Sequence, residues 1–243
     1  MKVLVISATG ATGRLVVKHL LDININVKAV ARNKSVLLNE FKSNDLLEII
    51  IGNISEFDLN KNLELINDCD SIVCCLGHNI SLKGIIGKPR MLVRDSIKNI
   101  CTAIESSKKE KVKLILMNTT ANMNRKLKES YSYKDKIVLS LLTFFLPPHK
   151  DNVGAASYLS NVIDEYNSKI EWIAVRPDTL INEEKVSEYE IMESPKRSPV
   201  FDAGKTSRIN VAHFIVELLH HNELWNLWKF KMPVIYNKPN QKN

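Results

Sequence analysis

The stretch VLVISATGATG, residues 3–13, joins a short apolar run to a row of small residues. The unbroken run from Val3 to Ile6 is typical of a central parallel strand that is buried on both faces. A helical pattern follows the small residues. Such residues let the backbone approach a diphosphate, and a helix N-terminus offers unpaired N–H groups and a partial positive charge to an anion. The stretch therefore predicts a dinucleotide-binding turn, with candidate residues Ser7, Thr9, Gly10, Ala11, Thr12 and Gly13.

Strand and helix patterns alternate from this turn onward. Apolar runs predict strands at residues 3–6, 26–31, 46–51, 71–76, 112–117, 171–175, 186–192 and 233–236, the last as a closing edge strand. Helical spacing predicts helices at residues 12–21, 59–66, 91–106, 134–145, 152–166 and 210–220. Alternating strands and helices indicate an α/β fold, a Rossmann-type doubly wound parallel sheet. We expect a single domain over residues 1–236, with substrate-side elements from about residue 120 onward, and a frayed polar tail at 237–243.

Composition and charge limit the possible partners. The formal net charge is +7, so an anionic ligand suits the protein and nucleic acid has to be considered. The densest basic run, residues 108–113, precedes a strand and carries no interleaved aromatic residues, so a solvated face is the better interpretation. No signal peptide, membrane-length apolar segment or zinc-ligand spacing is present. We expect a cytoplasmic protein, monomeric or a small homo-oligomer, with no metal and neither nucleic acid nor membrane as a partner.

The small-residue turn and several later segments carry a family resemblance. The motif ATGATGR at residues 8–14 resembles the atypical short-chain dehydrogenase/reductase families, among them the NmrA-like proteins and the biliverdin-IXβ/flavin reductases. The resemblance continues through Cys75-Leu76-Gly77, residues 175–177 and residues 207–212. Those families use G-A-T-G-x-x-G, so Ser7 departs from the pattern at one position. The resemblance implies a Rossmann fold and an NAD(P) cofactor.

The end of the second strand predicts which dinucleotide is preferred. An acidic residue at that position would accept hydrogen bonds from the ribose of NAD, whereas this chain has Arg32, whose planar fork suits the 2′-phosphate of NADP(H). Lys34 or Arg14 could add charge. The resemblance places Asn53 and Ile54 beside the adenine. Cys75, Leu76 and Gly77 end the fourth strand, where the backbone would pass the cofactor.

Evidence for a catalytic group is weaker. The resemblance implies a Ser or Thr after the fifth strand, which Thr119 matches best and Thr120 second; tying down the loop is the alternative role of these hydroxyls. No tyrosine of the chain is followed four residues later by lysine, so the usual Tyr-x-x-x-Lys proton relay is absent.

Other candidates near the expected site have open roles. Tyr131 with Lys134 and the loop residue His149 could serve the reaction, but their patterns favour surface, packing or incidental roles. Arg176 could meet an acidic substrate or a structural carboxylate. The apolar run at 137–146 could wall a substrate pocket or form a core helix.

These observations leave three functional hypotheses. The leading one is an NADPH-dependent reductase that transfers a hydride to a planar acceptor such as a flavin or quinone, which needs little acid help. The alternative is a non-catalytic NADP(H)-binding redox sensor of the NmrA-like kind. An isomerase or epimerase is disfavoured by the missing tyrosine.

Overall fold

The first strand is buried on both sides, as its apolar run predicts. In the computed structural model, which describes residues 1–42, 44–77, 90–124, 126–127, 129 and 131–239, β1 (Lys2–Ile6) pairs in parallel with β2 (Asn26–Ala31) and with β4 (Ser71–Cys74). Val3 and Val5 point into one core, and Leu4 and Ile6 point into the other. Alternate residues of one strand therefore serve two separate apolar layers.

The described residues build an eight-stranded sheet in the order β3-β2-β1-β4-β5-β6-β10-β8. All seven neighbouring strand pairs of this sheet are parallel except β10 with β8, which is antiparallel. The remaining strands of this sheet are β3 (Leu47–Ile51), β5 (Val112–Met117), β6 (Ile170–Pro177), β8 (Tyr189–Met192) and β10 (Val234–Asn237). A separate parallel pair joins β7 (Thr179–Ile181) to β9 (Lys205–Ser207). This arrangement confirms the predicted Rossmann-type single domain.

Helices cover both faces of the sheet. They are α1 (Gly13–Asp22), α2 (Ser35–Phe41), α3 (Leu59–Ile66), α4 (Leu92–Ser106), α5 (Tyr133–Phe145), α6 (Pro147–Tyr158), α7 (Arg208–His220) and α8 (Asn222–Trp228). Helices α1 and α7 contribute most to one core, while α3, α4 and α6 contribute to the other. A short π-helical segment, Leu159–Ile163, follows α6. Among the helices in the described ranges, none has the length and apolar character needed to cross a bilayer.

One predicted sheet position and several predicted bounds are wrong; the strand predicted at 186–192, for example, covers only Tyr189–Met192. The strand predicted at residues 233–236 is not an edge: β10 lies between β6 and β8, and β8 is the edge strand. The helix predicted from residue 152 begins at Pro147, because proline fits the first helical turn, where no intrahelical N–H bond is needed. Strand β4 ends at Cys74, two residues earlier than predicted.

Four short elements, α2, α8, β7 and β9, are absent from the sequence predictions. Asn237, which was predicted to begin the polar tail, belongs to β10. Its side-chain Oδ1 accepts hydrogen bonds from the Ser207 N–H at 2.9 Å and from Asn210 Nδ2 at 2.8 Å. Residues 240–243 of the predicted tail lie outside the described residues.

Candidate functional site

Parallel pairing brings the predicted cofactor residues to one edge of the sheet. Ile6, the last residue of β1, aligns with Val30 of β2 and Cys74 of β4. The Gly52 N–H donates to the Ala31 carbonyl at 3.0 Å, which places the turn after β3 beside the end of β2. The carboxyl ends of parallel strands are where α/β proteins bind ligands. The turn at 7–13, Arg32, Asn53 with Ile54, and residues 75–77 all follow these strand ends.

The turn between β1 and α1 presents unpaired backbone donors. Gly10 N–H donates to the Ser7 carbonyl at 3.0 Å and Arg14 N–H donates to the Gly10 carbonyl at 3.0 Å, which fixes the path of the turn. The N–H groups of Ala11, Thr12 and Gly13 donate to no backbone carbonyl among the residues that the structure describes. They stand at the start of α1, where the helix dipole favours negative charge. The turn is therefore shaped to receive an anion.

Ser7 occupies a backbone conformation that glycine favours. Its φ is 67°, in the left-handed region, where a Cβ is crowded by the backbone. The turn thus keeps its glycine-type geometry although a serine stands at the first position. The departure from the family pattern changes the side chain at this site and leaves the turn conformation in place.

The two glycines of the turn have different physical constraints. A Cβ on Gly13 would lie 2.3 Å from the Ser7 carbonyl oxygen and 3.3 Å from Ala8 Cα, so helix and strand meet backbone to backbone there. A Cβ on Gly10 would lie 3.1 Å from Ser7 Oγ and 3.2 Å from the Ser7 carbonyl oxygen, which is tight but not forbidden. Gly13 therefore serves packing, whereas Gly10 keeps the surface of the turn open.

Arg32 is exposed at the end of β2 and makes no ion pair with another described residue. The Arg14 Nε lies 3.3 Å from Glu40 Oε2 of α2, so that guanidinium already has a carboxylate partner. The Asn33 side chain accepts from the Ser35 N–H at 2.9 Å and fixes the start of α2. Of the three basic residues considered for a 2′-phosphate, Arg32 and Lys34 therefore remain without a carboxylate, while Arg14 is held by one.

The Asn53 side chain makes two hydrogen bonds within the turn after β3. Its Oδ1 accepts from the Ser55 N–H at 3.4 Å and its Nδ2 donates to Glu56 Oε1 at 2.9 Å. Ile54 is buried against the core. Directly after β4, Cys75 N–H donates to the Ile6 carbonyl at 3.1 Å. No atom of the residues that the structure describes lies within 4 Å of a Cβ added to Gly77.

Thr119 lies one strand further along the same edge, because it follows β5, whose Leu116 aligns with Cys74 of β4. Its hydroxyl accepts from the Ala121 N–H at 3.2 Å, and its own N–H donates to Asn118 Oδ1 at 2.9 Å. The hydroxyl thus takes part in the loop, as the alternative interpretation expected, while its proton is left to donate elsewhere. Thr120 is buried.

The remaining predicted acid–base candidates differ in their contacts, and Lys134 is exposed. The Tyr131 hydroxyl donates to the Thr120 carbonyl at 2.8 Å, and burial, together with nearby Glu129, raises the pKa of Tyr131 above its usual value. Tyr133 is exposed. His149 has no hydrogen-bond partner at its buried Nε2 atom in the described structure, and burial lowers the pKa of its ring. Tyr131 is therefore a packing residue.

Arg176 meets a structural carboxylate. Its Nη2 lies 2.5 Å from Glu129 Oε1 and its Nη1 lies 2.9 Å from Glu129 Oε2, with both side chains essentially buried. Nε also donates to the Met232 carbonyl at 2.7 Å and Nη1 to the Asn122 carbonyl at 2.9 Å. The pair fixes the loop after β5 onto β6, so Arg176 is not open to a substrate.

Two positioning residues were missed at the sequence level. Asn118 Nδ2 donates to the Asn152 carbonyl at 2.9 Å, so it links the loop that carries Thr119 to α6. Asp151 of α6 accepts from the Val93 and Arg94 N–H groups, each at 2.8 Å, and so caps the start of α4. A polar residue directly after an apolar strand was the available signal for Asn118. Asp151 gave no local signal, because its partners are 57 and 58 residues away.

Comparison with known proteins agrees with the geometry of the turn. A model of the NAD(P)H-binding family matches residues 7–222. No curated protein sequence matches the chain at a significant level.

Solved structures share the whole fold at low identity. A short-chain dehydrogenase/reductase from Veillonella parvula in complex with NADP has a TM-score of 0.67 at 16% identity, covering 100% of this chain and 96% of that chain. The anaerobillin reductase ChuY from Escherichia coli O157:H7 has a TM-score of 0.68 at 15% identity, covering 100% of each chain. A candidate NADH-flavin reductase from Streptococcus pneumoniae has a TM-score of 0.65 at 15% identity, covering 98% of this chain and 100% of that chain.

Proposed function

Since the chain belongs to the NAD(P)H-binding family, we propose that it is an NADPH-dependent reductase that acts on a planar acceptor such as a flavin or quinone. The observation that carries the proposal is the Arg32 guanidinium, which has no carboxylate partner among the described residues and follows β2 at the same sheet edge as the turn of unpaired N–H groups. The chain also has no Tyr-x-x-x-Lys proton relay. Two neighbours of the same fold carry reductase names. Their names agree with the proposal, but identities of 15% indicate the fold alone and do not define the acceptor.

The proposed binding mode assigns each strand end a part of the cofactor. The N–H groups at Ala11, Thr12 and Gly13 would receive the diphosphate, and Arg32 would pair with the 2′-phosphate. Asn53 and Ile54 would border the adenine, and residues 75–77 would lie along the middle of the dinucleotide. The bound nicotinamide would supply the hydride.

The proposed chemistry asks little of the protein side chains. After hydride transfer, the reduced flavin or quinone anion takes up one proton from solvent, so no strong acid has to stand in the site. The Thr119 hydroxyl is oriented by the Ala121 N–H and would position the acceptor by donating its proton in a hydrogen bond. Tyr131 cannot replace it, because its hydroxyl is occupied by the Thr120 carbonyl.

Thr119→Ala tests the assignment of the reacting edge. We expect turnover to fall about tenfold to a hundredfold, because only positioning is lost, while the affinity for NADPH stays within about twofold. The measurement is NADPH oxidation followed by absorbance with a panel of flavins and quinones. Thr143→Ala is the matched control, since that hydroxyl only donates to the Leu139 carbonyl within α5. Unchanged turnover in the Thr119 variant would remove this residue from the reaction.

A thermal-shift measurement with NADPH, made beside the oxidation assay with the acceptor panel, distinguishes a reductase from a sensor. NADPH should raise the melting temperature in either case, because a ligand that binds the folded state stabilises it by mass action. Only a reductase consumes NADPH when acceptors are added. A clear thermal shift without oxidation above the protein-free blank would contradict the reductase proposal and favour the non-catalytic NADP(H)-binding alternative.

Arg32→Ala tests the cofactor preference. A charge-assisted pair to the 2′-phosphate contributes about 1.5–3 kcal/mol, so the ratio of NADPH to NADH affinity should fall about tenfold to a hundredfold. Titration calorimetry with both cofactors measures the ratio. Lys108→Ala removes the same charge from an exposed position before β5, at the opposite edge of the sheet, and should leave the ratio unchanged. Equal affinity for both cofactors in the unmutated protein would overturn the preference.

A further inference from the structure

Helix α5 presents a row of apolar side chains to solvent. Tyr133, Ile137, Leu141 and Phe144 follow one another at four-, four- and three-residue steps and so share one face of the helix. Tyr133 is 79% exposed and Phe144 is 80% exposed. Phe145, 68% exposed, extends the row at its end. These five residues, here called the α5 row, differ from the single exposed apolar residues that any surface carries.

The opposite face of α5 is firmly attached to the domain, so the outward direction of the row is built into the fold. Leu139 and Asp135 are buried on that face. Asp135 accepts hydrogen bonds from the hydroxyls of Ser132 and Ser198, and its backbone N–H donates to Ser132 Oγ at the N-cap. Both expectations for this segment, a core helix and a pocket wall, leave the exposed row unexplained.

Charge is distributed unevenly along this part of the surface. Between residues 131 and 152 the two carboxylates, Asp135 and Asp151, are buried, whereas Lys134, Lys136 and Lys150 are exposed. Within α5 the lysines stand only in the first turn, and the last two turns carry no charge. A helix with a cationic start and an uncharged end, where carbonyl groups carry a partial negative charge, is complementary to its own reverse.

We propose that α5 docks antiparallel against α5 of a second copy of this chain, forming a two-fold dimer through the α5 row. The row has aromatic residues at both ends and aliphatic residues in the middle, so its order is the same in both directions. In an antiparallel pair, Tyr133 of one copy meets Phe144 and Phe145 of the other, and Ile137 meets Leu141. The two lysine pairs lie at opposite ends of a helix about 20 Å long, well beyond the screening distance in physiological salt. Each pair instead faces the C-terminal end of the other helix.

The size of the row fits this occupant. An aromatic side chain buries on the order of 150–250 Å², and three aromatic residues of the row are mostly exposed. Together with Ile137 and Leu141 they supply a large share of the roughly 800 Å² per partner that a standard interface buries. An anionic bilayer fits less well, because a helix lying on a membrane carries its cations along the whole length of the polar face.

Sedimentation velocity over about 1–100 μM protein tests the dimer. The unmutated chain should sediment as a dimer, and the double variant Phe144→Ser/Phe145→Ser should dissociate at least tenfold more readily. Both residues are exposed, so circular dichroism should be unchanged. Phe201→Ser is the control, since Phe201 is 61% exposed outside the row. A monomer throughout for the unmutated chain, or an undiminished dimer in the double variant, overturns the proposal.

A cross-link tests the antiparallel register independently. The two-fold axis of this register passes close to residue 139, so exposed Ser140 stands near its own equivalent across the axis. Ser140→Cys should form an intermolecular disulfide under mild oxidation, whereas Lys98→Cys on α4 should not. The four native cysteines are buried and leave the background low. Failure of Ser140→Cys to cross-link, or a monomer that instead sediments with phosphatidylglycerol-containing vesicles, contradicts the second copy as occupant.

Discussion

Replacing Gly13 by alanine is expected to lower the free energy of unfolding by about 3 kcal/mol or more. The added Cβ would stand 2.3 Å from the Ser7 carbonyl oxygen and 3.0 Å from the Ser7 carbonyl carbon. Neither backbone can retreat easily, because β1 is paired on both sides and α1 packs on the core. Urea unfolding of the variant beside the unmutated protein measures the loss. Gly77→Ala is the control and should change stability little, because its Cβ meets no described atom within 4 Å.

Gly10→Val separates the binding role of the turn from its packing role. A Cβ at Gly10 has room after a small adjustment of Ser7, so the variant should fold, while the valine methyl groups fill the space above the unpaired N–H groups. The NADPH-induced thermal shift should then disappear. A saturating ligand at a hundred times its dissociation constant stabilises a protein by about 2.7 kcal/mol, so the loss is large enough to see. A folded Gly10→Val variant that keeps its NADPH shift would show that the cofactor binds elsewhere.

Glu129→Gln is expected to destabilise the protein by about 3–5 kcal/mol, because it leaves the buried Arg176 charge without its counter-ion. The loss is a large part of the 5–15 kcal/mol that stabilises a typical domain. Denaturant unfolding provides the measurement. The loop after β5 should also become more open to proteolysis, since Arg176 ties it to β6.

The control for this pair is an ion pair of similar length on the surface. Glu190 lies 2.8 Å from Lys196 Nζ, and both side chains are partly or largely exposed. Glu190→Gln should change the free energy of unfolding by less than about 1 kcal/mol. A loss of similar size in both variants would mean that burial does not set the energy of the Glu129–Arg176 pair.

Much of the fold is predictable because a strand that is buried on both faces needs apolar residues at most of its positions. Strands β1, β2 and β5 consist mostly of apolar residues, and their predicted bounds agree with the structure to within one residue. Helix α2 was missed because it has no side-chain cap at its N-cap residue, Lys34, and only Leu37 is buried. The place of β10 between β6 and β8 could not be read from local pattern, since an inserted strand and an edge strand of four residues look alike.

In the candidate site, too, local patterns could be predicted from the sequence, whereas contacts between distant segments could not. The residues proposed to bind the cofactor could be grouped from the sequence, because the ends of parallel strands share one edge. Contacts between distant segments were out of reach. Tyr131 reaches the carbonyl of Thr120, and Arg176 reaches a carboxylate 47 residues earlier in the chain. The exposure of Phe144 and Phe145 was equally hidden, because an apolar helical run reads the same whether its face is covered by the chain itself or by something else.

The late insertion of β10 has a consequence for how the chain reaches its native state. Strand β6 exposes one hydrogen-bonding edge, and β8 has no strand to pair with, until residues 234–237 enter the gap between them. On the ribosome, β1 to β6 are therefore complete while the sheet still ends in an open parallel edge, the kind of surface on which chains aggregate. The sheet can close between β6 and β8 only after residues 234–237 have been synthesised, however quickly the helices form.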